Sequence, residues 1–192
     1  MIGHIVTAYR IESIKAYRSK FTYVGPVLVV LLVALSPLLY PLSGDGENAY
    51  RFIAFATPTA LNLLGLFLVL SFCASLVSGD TGSGSIRVLL TRPVYRHVFI
   101  IAKLLDGLTY AFTLSLAVAV TAWGIALAFG TISGVEYGGE LLYTGGTMLR
   151  AYLSGFAINL APQFAFVSYA VMVSTFMKSN AASVVTTIGV WL

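Results

Sequence analysis

Charge is what this sequence has least of: eleven Lys and Arg and seven Asp and Glu, 9% of 192 residues. Soluble domains carry about 25% charged residues, and so few cannot clothe a 20.5 kDa globule in water. A soluble enzyme domain is thereby excluded. A disordered chain is excluded as well, because disorder needs low hydrophobicity, whereas 58% of these residues are apolar and the mean hydropathy is +0.92. The single cysteine, Cys73, rules out a disulfide framework and a cysteine-based zinc site. The two histidines, His4 and His97, sit at the edges of apolar runs, so no His pair can ligate a haem at mid-bilayer depth. This composition is that of an integral membrane protein.

Long apolar runs are what the chain does have. A hydrocarbon core about 30 Å thick needs about 20 apolar helical residues, and residues 21–42, 52–78, 98–130 and 151–177 meet that length. A fifth run, 181–192, reaches only ~18 Å at ~1.5 Å per residue. It is expected to be half a crossing cut off by truncation, with a re-entrant or interfacial segment as the alternative. The runs are continuous, as in Val-Leu-Val-Val-Leu-Leu-Val-Ala-Leu at 27–35, where barrel strands would alternate. Pro37, Pro41, Pro58 and Pro162 predict kinks within helices, tolerated because neighbours satisfy the freed carbonyls. The predicted fold is an all-α polytopic helix bundle, one transmembrane domain over 1–192 with four full spans and a partial fifth.

Residues 1–20 precede the first span. Ile2, Ile5, Val6, Tyr9, Ala16 and Tyr17 share a face at 100° per residue, with Lys15 and Arg18 opposite. That is the pattern of an amphipathic helix lying in the membrane interface. It is not a cleavable signal, whose n-region and apolar core are both shorter. Nine of the eleven basic residues fall before the first span, around the 79–97 loop, or at Lys178; only Arg51 and Arg150 fall on the other side. The positive-inside rule makes the nine-residue side, and the N-terminus, cytoplasmic. The formal net charge of +4 is then topology and contact with anionic membrane lipids, with no nucleic-acid partner. Tyr40, Tyr50, Tyr95, Phe99, Tyr137 and Tyr143 border the loops, where amphipathic rings prefer to sit.

The polar segment 79–97 carries most information. Gly79 and Gly84 have P-loop spacing, but Ser85 stands where the phosphate-binding lysine is required and Ile86 where the Mg²⁺-binding hydroxyl should be. It is not a nucleotide site. Read instead as a short helix, 83–93 starts at a Ser83 or Ser85 cap, presents Ile86, Leu89 and Leu90 at i, i+3, i+4, and stops at Pro93. Such teeth beside Arg87 and Arg92 suit a partner's groove or the lipid headgroups, and pattern alone leaves both open.

Elsewhere the polar residues call for structural roles. Lys103 and Asp106, near one end of the third span, can pair at i, i+3 while Lys103 snorkels to the headgroups. Asn62, Asn159 and Gln163 fall at mid-span depth, as interhelical hydrogen-bonding groups do. Cys73 reads as a small apolar residue. Glu136 and Glu140, four apart among Gly138, Gly139, Gly145 and Gly146, read as a flexible solvated loop. No internal repeat suggests an inverted-repeat transporter.

The stretch 76–105 resembles the cytoplasmic loop of ABC-2 type permeases, the membrane subunits of one class of ABC exporter. Ser78-Gly-Asp80, Gly84-Ser-Ile-Arg-Val-Leu-Leu-Thr-Arg-Pro93, Arg96 and Ala102-Lys103-Leu104 carry the likeness, with Asp80, Ser85 and Ala102 where the family commonly has Glu, Thr and Gly. Glu12, Lys15, Arg18 and Lys20 before the first span are similar too. The resemblance implies six spans, an N-terminal elbow helix over 2–17, and a coupling helix at 83–93 that docks on a separate ATPase subunit. It implies docking residues Ile86, Arg87, Leu89 and Leu90, with Asp80 and Arg92 next. ATP and Mg would be bound by that ATPase, leaving no cofactor and no catalysis in this chain. A second permease copy, or a homologous permease, would complete an export pathway across the plasma membrane. The alternative function is a non-transporting scaffold or assembly factor whose loop recruits a soluble partner.

Overall fold

The computed structural model describes residues 2–39, 49–82, 96–130, 134–137 and 140–191. Helices α1 (Ile2–Arg18) and α2 (Lys20–Leu35) are followed by a tighter helical turn, Ser36–Leu38. Helix α3 (Ala49–Ala60) passes through a widened turn, Leu61–Gly65, into α4 (Leu66–Gly82). Then come α5 (Arg96–Phe129), a hairpin of β1 (Val135–Tyr137) and β2 (Glu140–Tyr143), α6 (Gly145–Phe176) and α7 (Asn180–Trp191).

Four stretches are long and apolar enough to cross a membrane: Lys20–Leu38, Ala49–Gly82, His97–Phe129 and Gly145–Phe176. The last three run 32–34 residues, or ~50 Å, beyond the ~30 Å hydrocarbon thickness. Their ends therefore reach past the apolar layer. Large side chains such as Leu127, Ile158 and Phe176 are 60%, 71% and 76% exposed. Surfaces of that kind are untenable in water and expected against lipid.

The prolines leave local signatures. Pro37 has no N–H to return to the Val33 carbonyl, and the Ser36 hydroxyl donates to it instead at 2.7 Å. Pro58 likewise withholds an N–H from Ala54, and the rod relaxes within one turn into the wider Leu61–Gly65 geometry. Pro26 and Pro162 are carried inside α2 and α6. Pro41 lies outside the described residues.

The chain clusters into two compact units. The first comprises Met1–Val24, Leu66–Phe112 and Pro162–Leu192. Its core is built from Leu70, Cys73 and Ala74 of α4, Ala102 and Ala111 of α5, and Val167 and Ala170 of α6. Gly107 lets these helices touch: a Cβ there would lie 2.9 Å from Cys73 Sγ and 2.9 Å from Val167 Cγ1. Phe72 and Tyr110 stack with centroids 4.0 Å apart. Hydroxyls tie α6 and α7 to α4. Ser174 Oγ accepts from the Ser78 N–H at 2.9 Å and donates to the Ala74 carbonyl at 2.6 Å, which Ser183 also reaches at 2.8 Å. Small hydroxyl residues at close helix contacts are how bundles associate in lipid, where apolar packing has no hydrophobic drive. Helix α7 runs back along α6, with Trp191 edge-on to Phe166 at 4.6 Å.

The second unit comprises Gly25–Gly65 and Thr113–Ala161. Ala49, Tyr50, Phe52, Ile53, Ala56 and Ala126 form its buried cluster, with Trp123, Met148 and Tyr152 packed against it. Tyr50 donates its hydroxyl to the Gly145 carbonyl at 2.9 Å.

Two expectations need correction. Glu136 and Glu140, expected in a flexible solvated loop, have regular backbone structure: their strands pair in an antiparallel hairpin, Glu136 opposite Leu141 and Tyr137 opposite Glu140. The local signal for it is Gly138-Gly139 between Val, Tyr and Leu residues, a short-hairpin pattern. The apolar face assigned to α1 also divides. Ile5, Tyr9 and Ala16 face protein, whereas Val6 and Tyr17 are 58% and 55% exposed.

Candidate functional site: a buried charge cluster at the base of the polar loop

Helix α1 turns a stripe of Ile5, Ala8, Tyr9, Glu12, Ser13 and Ala16 away from solvent. Their i, i+3, i+4 spacing makes one face. At its centre Glu12 is 8% exposed. Carboxylates are almost never buried without a partner, and the partner is Lys103 of α5, whose ammonium donates to Glu12 Oε2.

Lys103 is the hub. Its side chain is 1% exposed, and Nζ also donates to Asp80 Oδ2 on α4 at 2.6 Å. The same nitrogen lies 5.3 Å from the centroid of Phe99, one turn earlier on α5. Two charge-assisted hydrogen bonds and an aromatic face replace the water lost on burial. Asp80, its side chain 4% exposed, takes a second cation on its other oxygen from Lys15 of α1, which stays 55% exposed. Farther along, the Tyr9 and Thr109 hydroxyls bond at 2.8 Å. Three helices are thereby joined through side chains that are 65–100 residues apart in sequence.

The location gives the cluster its meaning. Asp80 lies three residues before residue 83, and Lys103 seven residues after Arg96. The Lys103–Asp80 pair thus ties together the two stems of the segment predicted to carry the docking helix. Ile86, Arg87, Leu89, Leu90 and Arg92 lie outside the described residues. Asp80, grouped with them from the sequence, has its carboxylate inside the cluster.

Lys103 neither snorkels nor pairs with Asp106; Glu12 and Asp80 take its hydrogen bonds. The i, i+3 reading missed this because both better partners come from other helices. Asp106 is 5% exposed, and its Oδ2, like Ser13 Oγ, has no hydrogen-bond partner among the described residues. Among the described residues no group of three or more His, Cys, Asp and Glu is arranged to hold a metal ion. What the arrangement can do is hold three helices in register.

Four long apolar helices with lipid-type surfaces define a multi-pass membrane protein of all-α architecture. Residues 8–190 match the family described as ABC-2 family transporter protein, and the chain belongs to that family. It is accordingly a membrane subunit of an ABC transporter, a class of subunit that is not itself catalytic. No curated protein and no solved structure matches it.

Proposed function

We propose that this chain is the permease of an ABC-2 type exporter, driven by a separate ATPase that docks on the helix at 83–93. The observation that carries this reading is Lys103, which bonds to both α1 and the Asp80 stem. A push on the loop would be delivered to α1, α4 and α5 together, because separating them strands buried charges. Ile86, Arg87, Leu89, Leu90 and Arg92 supply the docking surface, and Asp80 sets the base of the loop from within the cluster. ATP and Mg bind the ATPase. A second permease, identical or homologous, completes the pathway. The basic-residue distribution supports a plasma-membrane protein with the loop and N-terminus cytoplasmic.

Leu89→Asp/Leu90→Asp tests the reading. The variant should insert and fold as the parent does, yet fail to co-purify with the ATPase subunit and fail to couple hydrolysis to transport. Normal binding and coupling would refute the docking assignment. Capture of a soluble partner without nucleotide hydrolysis would favour the scaffold alternative.

A further inference from the structure

The second unit holds a cavity of about 420 Å³ between two stretches, α3 with its widened turn and the first half of α6. That volume falls within the ~300–1,000 Å³ range of small-molecule sites. The sequence leaves it open. Gly155 projects nothing into it, and a Cβ added there would meet no atom within 4 Å. The Pro58 break leads into the wide turn carrying Asn62. Thr57 and Tyr152, both on the wall, bond across it at 3.4 Å.

Two features of the wall specify chemistry. No lining residue carries a charge. Asn62 and Asn159, one from each side, bring carboxamides whose hydrogen bonds no other described residue takes. They lie 13 and 14 residues from the starts of their spans, ~20 Å along helices that exceed the bilayer, where an unpartnered amide is costly. Most of the remaining wall is apolar, as at Ile53, Leu61 and Phe156. Water alone would satisfy the amides and wet the apolar wall. An amphipathic occupant satisfies both.

We propose that this cavity is a binding site for an uncharged amphipathic molecule whose amide or hydroxyl group bonds to Asn62 and Asn159 while its apolar body fills the rest. The site requires membrane placement and does not depend on the ATPase reading.

Trp123 provides the readout, with its ring 6.0 Å from Tyr50 and 6.1 Å from Tyr152, both cavity-lining. In Trp191→Phe protein reconstituted in nanodiscs, Trp123 is the remaining tryptophan. A dibrominated alkyl primary amide should quench it saturably. Trimethylammonium and sulfonate analogues of the same chain should bind at least tenfold more weakly. Asn62→Leu/Asn159→Leu should weaken the amide at least tenfold with helicity retained. Gly155→Leu, which fills the cavity while keeping both carboxamides in the sequence, should abolish saturation, and it decides the matter if the double variant misfolds. Quenching that never saturates, charged probes that bind as well as the amide, or saturable quenching that survives Gly155→Leu would overturn the proposal. Saturable binding in the Leu89→Asp/Leu90→Asp background separates this site from failure of ATPase docking.

Discussion

Replacing Lys103 with Met keeps the volume of the stem and deletes the ammonium on which the first unit's charge cluster depends. Glu12 then loses its partner while its side chain is 10% exposed; Asp80, at 4%, loses the bond to Oδ2 and retains Lys15 on Oδ1. Stranding a buried charge by removing its partner costs about 3–5 kcal/mol. The lower end applies here, because Lys15 still covers one oxygen of Asp80 and α1 can swing out to hydrate Glu12. About 3 kcal/mol is roughly a hundredfold in an equilibrium constant. The cheapest escape is undocking of α1, so amide exchange over residues 5–16 should accelerate about a hundredfold while α5 above the cluster is unchanged. Adding Glu12→Gln removes the stranded carboxylate and should restore more than half of the loss, as neutral replacements of buried ion pairs do. If Lys103→Met changes stability by less than about 1 kcal/mol and leaves α1 equally protected, the cluster does not hold these helices together and the coupling argument fails.

Three further expectations follow from the packing. Gly107→Ala gains about 1 kcal/mol of helix propensity, yet its Cβ would crowd Cys73 and Val167 at 2.9 Å, so reversible unfolding in micelles should show a net loss of about 1 kcal/mol. Pairing it with Cys73→Ala should recover part of that loss, because the contact with Val167 Cγ1 remains. Ser174→Ala removes the hydroxyl between Ser78 and Ala74 and should cost about 1 kcal/mol in the same assay, in line with interhelical bonds in membranes. Asp106→Asn takes away a buried charge whose Oδ2 lacks a hydrogen bond; it should be neutral or stabilising, whereas Asp80→Asn should destabilise by about 2 kcal/mol or more. Equal losses from the two Asn variants would contradict the assignment of partners.

Class, span count and the helical nature of the chain were legible without coordinates, because each depends on the local cost of putting residues in hydrocarbon. A run such as 107–135, with no charge, has few other options. Proline positions and the hairpin are equally local, the hairpin through Gly138-Gly139 between Val, Tyr and Leu residues. What tertiary structure alone decided is who faces whom. The partner that keeps Lys103 from the headgroups lies 91 residues away on α1, and no periodicity in α5 points to it. The split of the α1 face has the same origin: a helix chooses between lipid and protein according to neighbours that its own sequence does not name. The amides of Asn62 and Asn159 were visible as polar groups at depth, but only folding set them on the walls of one cavity. Transfer energies act residue by residue, so the sequence determines where the chain enters the membrane; burial of charge is pairwise and non-local, so only the assembled helices determine which charges can stay there.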